Sequence, residues 1–399
     1  MGVMQLLRRR DVALLLAGYG LSAFGDVLAL VALTIRVHDL TGTGIAVAGL
    51  LLAGTVPMIL LAPLTGLLVD RVETTRVLAL GALAQTAAAG ILAFTTSVPA
   101  ILALTATLGA GAALTRPAVF ALLPRVAGEH RLIQANSLLE IFQFGGAALG
   151  PLAAGLLAAG YGTRVALLAD AATFLVLAAA AAALRTRRPP TALAAGARPS
   201  GELRRGLAFM TGDRLLLLAL VVVGSLILVV AMGNVAEVFL AKDVLGAGDL
   251  GYGVLNAAWA AGMVAGVLLV ARRLPATRLA PVLIGAAAVT GLAVVMTGAA
   301  PGIVVAVAAY VVGGGANGVE NVTMRSLIQQ RVPDGLRGRA YAAYAAVASS
   351  ADLVSTGLGG VLVGLFGARG TLIGSGAAAL LIAGLGAVAY RRLPVAALR

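Results

Sequence analysis

Carboxyl groups set inside long apolar runs are the side chains of this chain most able to do chemistry. Asp26 stands about fifteen residues into the first such run, which is mid-bilayer depth at ~1.5 Å per helical residue. Away from water a carboxyl resists ionising, so Asp26 could take up and release a proton near neutral pH. The other reading is a structural acid, permanently paired or protonated. Glu140 and Arg116 lie nine residues from Arg131 and Arg125, which puts both at a similar depth, about 13 Å from one face, with a salt bridge within reach. That pair is either a static brace or a bond that protonation opens. Asp352 is the carboxyl of the second half closest to mid-depth and the third candidate for proton coupling. Glu237, beside Asn234, sits nearer the opposite face, where it could gate a mouth. Glu320 has Asn317 and Asn321 as neighbours, with Arg325 or Arg71 as candidate partners, and Asp170 is expected near an interface in contact with water. Phe24, Phe142 and Trp259, together with Asn234 and Glu237, could line an apolar substrate cavity, although packing alone would account for any one aromatic.

The elements that must hold these groups are set by composition. Sixty per cent of the 399 residues are hydrophobic and only 11% are charged, too few polar residues to clothe a water-soluble domain. Apolar stretches predict twelve helices, at about 11–37, 43–69, 75–96, 99–123, 134–160, 163–184, 214–240, 250–271, 278–298, 302–327, 338–366 and 369–390. In lipid each main-chain amide must be satisfied within its own segment, which demands helices rather than an open sheet. Cysteine is absent and only two histidines occur, His38 and His130, so thiolate and histidine metal centres are excluded. No phosphate loop exists, because the single lysine, Lys242, follows Ala241 and precedes Asp243. No nucleophile constellation appears either, and an enzyme is not expected. No cofactor or metal is expected.

The basic balance has a topological meaning. With the N-terminus in the cytoplasm, 24 Arg and Lys fall in inner segments and four outside (Arg36, Arg164, Lys242, Arg369), leaving Arg116 within a helix. This positive-inside bias predicts a multi-pass protein of the inner (plasma) membrane with both termini cytoplasmic, and explains the charge of +13 without nucleic acid. The arginine-rich stretch 185–213 predicts a cytoplasmic linker between a bundle at 1–184 and a second at 214–399. The halves resemble each other: Gly155 to Arg164 matches Gly360 to Arg369 at an offset of 205 residues, as duplication of a six-helix unit requires.

Several motifs carry a resemblance. Gly66-Leu-Leu-Val-Asp70-Arg71-Val-Glu73-Thr-Thr-Arg76 joins the second and third spans. Gly146-Ala-Ala-Leu-Gly150-Pro151-Leu-Ala-Ala-Gly155 lies in the fifth. Leu21-Ser22-Ala-Phe-Gly25-Asp26, Arg116-Pro117-Ala118, Gln134-Ala135-Asn136-Ser137 and Gln330 to Arg339 add to these. Over nearly its whole length the chain resembles the major facilitator superfamily. Within it, the chain looks like the drug, macrolide and siderophore exporter branch that includes the enterobactin exporter and transmembrane secretion effectors. The resemblance implies an all-α membrane fold of two pseudo-symmetric six-helix bundles. It also implies a conformational latch at Gly66, Asp70, Arg71 and Arg76, with Glu73 where the family has glycine. A helix-bend motif at Gly146, Gly150, Pro151 and Gly155 is that of exporters. The expected activity is proton-coupled antiport of small amphipathic molecules such as drugs, antibiotics or siderophores. Alternating access would carry it out, in a monomer whose partners are substrate, protons and lipid. An uptake symporter and a non-transporting receptor or scaffold on the same fold are the alternatives.

Overall fold

The computed structural model describes residues 9–128, 131–187, 199–271 and 278–394, and these residues are helical with no strand among them. The first half runs α1 (Arg10–Thr41), α2 (Gly44–Arg71), α3 (Thr74–Leu92), α4 (Val98–Ala127), α5 (Leu132–Tyr161) and α6 (Thr163–Ala183). A short helix, α7 (Pro199–Gly212), precedes α8 (Arg214–Val230), α9 (Gly233–Phe239), a π-turn at Leu240–Val244, α10 (Gly248–Ala271), α11 (Leu279–Gly298), α12 (Ile303–Arg331) and α13 (Asp334–Arg391).

Two of the expected spans contain or adjoin a local break in the helical pattern. The seventh span runs through Arg214–Val244, its helical hydrogen bonding interrupted at Ala231–Met232 while both residues keep right-handed helical angles. The expected eleventh and twelfth spans lie end to end in α13, which counts as one of the eleven helices among the described residues that are long and apolar enough to cross a membrane. At ~1.5 Å per residue the 58 residues of α13 would run about 87 Å, nearly three hydrocarbon thicknesses. The break that resolves this is Gly367, with φ 67° and ψ 177°, a conformation essentially reserved for glycine. Gly162, 205 residues earlier, joins α5 to α6 with nearly the same geometry, φ 77° and ψ 162°. Gly367→Ala is therefore expected to destabilise the fold by about 1–3 kcal/mol. Gly364→Ala, whose added methyl meets open space, should leave the melting temperature unchanged. Equal melting of the two variants would contradict this account of the break.

The chain forms two compact units, Met1–Gly42 with Gly49–Leu193 and Gly248–Ala257, and Thr43–Ala48 with Ala194–Ala247 and Ala258–Arg399. In the first, α1 packs on α5 and α6, and α3 on α4 and α6, around a core that includes Leu15, Leu16, Leu78, Leu122 and Leu177. In the second, α13 packs on α8 and α11, and α11 on α12, around Leu216, Leu283, Leu327 and Ile328. The offset of 205 recurs in the contacts. Gly155 lies against main chain of Asp249 and Gly253 in the first unit, and Gly360 against Gly44 and Ala48 in the second. Thr115 donates to Gln85 Oε1 (3.4 Å) across α3 and α4, and Thr290 donates to Glu320 Oε1 (2.6 Å) across α11 and α12. Positions 85 and 290, and 115 and 320, are equivalent in the repeat, so one interhelical bridge is built twice with its polar roles rearranged.

The stretch expected as a linker is in part ordered. Gly206 of α7 sits directly on the Arg339 carbonyl at the start of α13, and Met210 is fully buried. Asp213 then caps α8, its Oδ1 accepting from the amides of Leu215 (2.9 Å) and Leu216 (3.0 Å), while Oδ2 accepts from Arg331 (2.7 Å). Residues 188–198 of that stretch lie outside the described ones.

Candidate site in the first unit

Asp26 lies sixteen residues from the start of α1 and fifteen from its end, which is the middle of the helix. It is half-buried, and Arg116 on α4 acts on it electrostatically. Arg116 also acts on Tyr19, two turns away on the same face of α1, and Tyr19 Oη accepts from Gln143 Nε2 of α5 (3.1 Å). The guanidinium itself is exposed and donates to Met58 Sδ (3.4 Å). The side chain of Glu140, its expected partner, lies outside the described residues.

The glycine motif of α5 explains why α1 can come this close. A Cβ on Gly146 would stand 3.1 Å from Phe24 main chain, and one on Gly150 would stand 3.0 Å from Val27, the residues flanking Gly25-Asp26. Small residues four apart thus seat the polar segment of α1 against α5. Pro151 and Gly155, further along, meet Gly253 instead. Phe142 lies over Gly20 of α1 and keeps over a third of its surface exposed.

Asp170 requires a correction. The sequence placed it at a watery interface, yet on α6 it is completely buried, at 0% exposure. Its carboxylate and Thr173 fill the notch left by Gly25, where any Cβ would collide with both. Thr173 donates to the Asp170 carbonyl (2.7 Å) and more weakly to Oδ1 (3.3 Å), and Oδ2 has no hydrogen-bond partner among the described residues. The signal that could have found it is the pair Gly25-Asp26 facing a helix with Asp and Thr three apart.

In the second unit the interruption at Ala231–Met232 falls 205 residues beyond Asp26, the place where the first half carries an acid. Asn234, just past that interruption, is exposed, and Glu237 and Asp352 are half-buried. Glu320 is buried, with its second oxygen accepting from Asn317 (3.4 Å), so its partners are Thr290 and Asn317 rather than the arginines considered above. Trp259 stacks edge-on against Tyr310, centroids 5.4 Å apart, and covers Gly313. Gly262 and Gly266 pack α10 onto main chain of α12.

The loop after α2 is held by a residue the motif did not nominate. Glu73 pairs with Arg76 (2.8 Å) and Arg187 (3.2 Å) and accepts from Thr75 Oγ1 (2.7 Å). That hydroxyl, aided by the two arginines, holds the Glu73 carboxyl below the usual glutamate range. The contacts therefore act in full above that range and fade as pH falls through the lowered value. Gly66, Asp70 and Arg71 close the last turns of α2, and the Asp70 side chain lies outside the described residues.

Two units of long apolar helices, built on one repeat, mark a polytopic membrane protein. Residues 15–356 match the family model of the Major Facilitator Superfamily, and the chain belongs to that superfamily. It is 25% identical over 370 residues to an uncharacterized MFS-type transporter, YfiS, of Bacillus subtilis (strain 168), covering 89% of this chain and 87% of that one. Among solved structures it is similar to a bacterial homologue of the iron transporter ferroportin in an inward-facing state, with TM-score 0.76, 18% identity and 96% and 99% of the two chains covered. It is also similar to the nucleoside transporter NupG, with TM-score 0.77, 13% identity and 96% and 100% covered. At those identities the likeness is one of fold.

Proposed function

We propose that the protein is a proton-coupled exporter of small amphipathic molecules that works by alternating access. The observation that carries this reading is Asp26, a carboxyl at the middle of α1, within the field of Arg116 and framed by the exporter-type glycines of α5. A mid-depth acid that gains and loses a proton is the minimal coupling device for a carrier without a nucleotide site. Glu140 and Asp352 are proposed as further members of the proton path. Phe24, Phe142, Asn234, Glu237 and Trp259 are the proposed substrate contacts, and Gly66, Asp70, Arg71 and Arg76 the latch. We place both termini in the cytoplasm and the chain in the plasma membrane as a monomer. Its transport domains on this reading are 1–184 and 214–399, joined by 185–213.

Everted membrane vesicles test this with ethidium as the amphipathic probe. Acidifying the vesicle interior should drive dye accumulation in the wild type. Asp26→Asn, folded and present in equal amount, should lose at least about tenfold of that rate. Wild-type coupled accumulation by Asp26→Asn would remove Asp26 from the mechanism. Proton-driven dye entry in right-side-out vesicles would make the protein an uptake symporter instead.

A further inference from the structure

The register of α1 against α6 can be read from its two ends. Near one end Asp11 Oδ2 accepts from the amides of Arg185 (3.2 Å) and Thr186 (2.8 Å) and from the Thr186 hydroxyl (2.6 Å). Near the other, Arg36 Nε donates to Thr163 Oγ1 (2.9 Å). Between them, a Cβ on Gly18 would stand 3.1 Å from Ala180 Cβ. In an antiparallel pair the facing residue numbers have a constant sum, and these three contacts agree to within a few residues. Applied to Asp26, the same register faces it with the turn Asp170–Thr173, and the notch at Gly25 receives those two side chains. The Asp170 carboxyl therefore packs against the residue next to Asp26, and Asp26 acts on it electrostatically.

We propose that Asp170 and Asp26 form a carboxyl pair that binds a single proton between α1 and α6, with Asp170 as its buried member. Two ionised carboxylates side by side repel, and a buried carboxylate oxygen without a donor is among the costliest arrangements a protein interior can hold. A proton on Asp170 Oδ2 removes both penalties, because it leaves the pair with one negative charge and supplies a donor where there is none. Thr173 cannot do this, since its hydroxyl is spent on the Asp170 carbonyl. Among the described residues the other titratable groups acting on Asp26 or acted on by it are Tyr19 on α1 and Arg116 on α4, while α5 faces that segment of α1 with Gly146 and Gly150. Helix α3 faces α6 there with apolar contacts, Ala89 against Ala171 and Phe174. Arg116 offsets one negative charge, which matches a pair that keeps one. The proposal deepens the reading of Asp26 as the coupling acid by giving that acid a partner.

The test reads stability rather than transport, so it fails or succeeds separately from proton-driven export. A folded state that holds a proton the unfolded chain would release loses stability as pH rises above the ordinary carboxyl range. The melting temperature of the purified wild type, followed from about pH 5 to pH 9, should fall by about 2 °C per pH unit in that window. Asp170→Asn imitates the protonated acid and should flatten the fall, while Asp26→Asn, which removes the like charge, should displace its midpoint by about one pH unit or more. Should Asp170→Asn not fold, wild type against Asp26→Asn carries the same comparison. A profile unmoved by Asp26→Asn would show that the two acids are not a pair. An Asp170→Asn profile parallel to wild type would show that Asp170 holds no proton. Stabilisation at high pH by sodium chloride over choline chloride, lost in Asp170→Asn, would make the site one for sodium and overturn the proton assignment.

Discussion

Gly262→Val or Gly266→Val should unseat α10 from α12 and lower the melting temperature more than any other single change considered for this protein. A Cβ at Gly262 would collide with the Val311 carbonyl oxygen, and one at Gly266 with the Gly315 carbonyl oxygen. From the facing helix, Gly314 lies equally tightly on the Trp259 carbonyl and Gly318 on that of Met263. Glycines four apart on each helix thus interlock main chain to main chain, the arrangement that lets membrane helices associate without a hydrophobic driving force. Overpacking usually costs about 1–3 kcal/mol because side chains can swing aside. Here the opposing atoms are carbonyl oxygens of a continuous helix and cannot, so about 3 kcal/mol or more is expected for each valine. Gly285→Val, on an open face of α11, is the control that should melt with the wild type. Size-exclusion thermal melts of the detergent-solubilised protein decide it, and a Gly262→Val protein as stable as the control would show that the helices are not in contact there.

The same four glycines mark a boundary of what could be read from the chain. With 52 glycines, a four-residue spacing is common, and nothing in a single sequence says which pairs face another helix. Hydropathy, by contrast, located nearly every helix, because crossing a bilayer demands a long apolar run whatever the packing. The repeat was legible for a related reason: Gly162 and Gly367 must be glycine to hold their main-chain angles, and such positions survive duplication. Asp170 was not legible, since its burial depends on the register of α6 against α1, fixed by Asp11, Arg36 and Gly25 rather than by its own neighbours. Glu73 was visible only as a departure from a motif. Its role follows from Arg187, more than a hundred residues on. The interrupted hydrogen bonding at Ala231–Met232 left no mark either, because Val, Leu and Ala suit a regular helix as well as a locally loosened one.

Replacing Arg36 by methionine should be nearly as damaging, for a reason bound up with its place on the arginine-poor face. Arg36, Arg164 and Arg369, all expected on that face, are tied to specific partners. Arg164 lies 3.9 Å over the ring of Phe94, and Arg369 donates to the Gly298 carbonyl (3.0 Å). Arg36 does most, reaching from α1 to Thr163 at the start of α6 and to the Leu92 (2.6 Å), Ala93 (3.5 Å) and Thr95 (3.4 Å) carbonyls that end α3. A helix leaves its last carbonyls without partners, and a cation there satisfies them and complements the dipole. Methionine keeps the length and apolar stem but removes every donor, so a loss of about 2–3 kcal/mol is expected once partial exposure is allowed for. Lysine should restore less than half, because a single ammonium cannot span three carbonyls and a hydroxyl together. Thr163→Val, which breaks one bond of the set, should cost about 1 kcal/mol. An Arg36→Lys protein as stable as wild type would mean that the charge alone matters there. If the geometry matters, the Arg36→Met protein should also broaden the pH transition assigned to Asp26 and Asp170, since this clamp is one of the two that hold their helices in register.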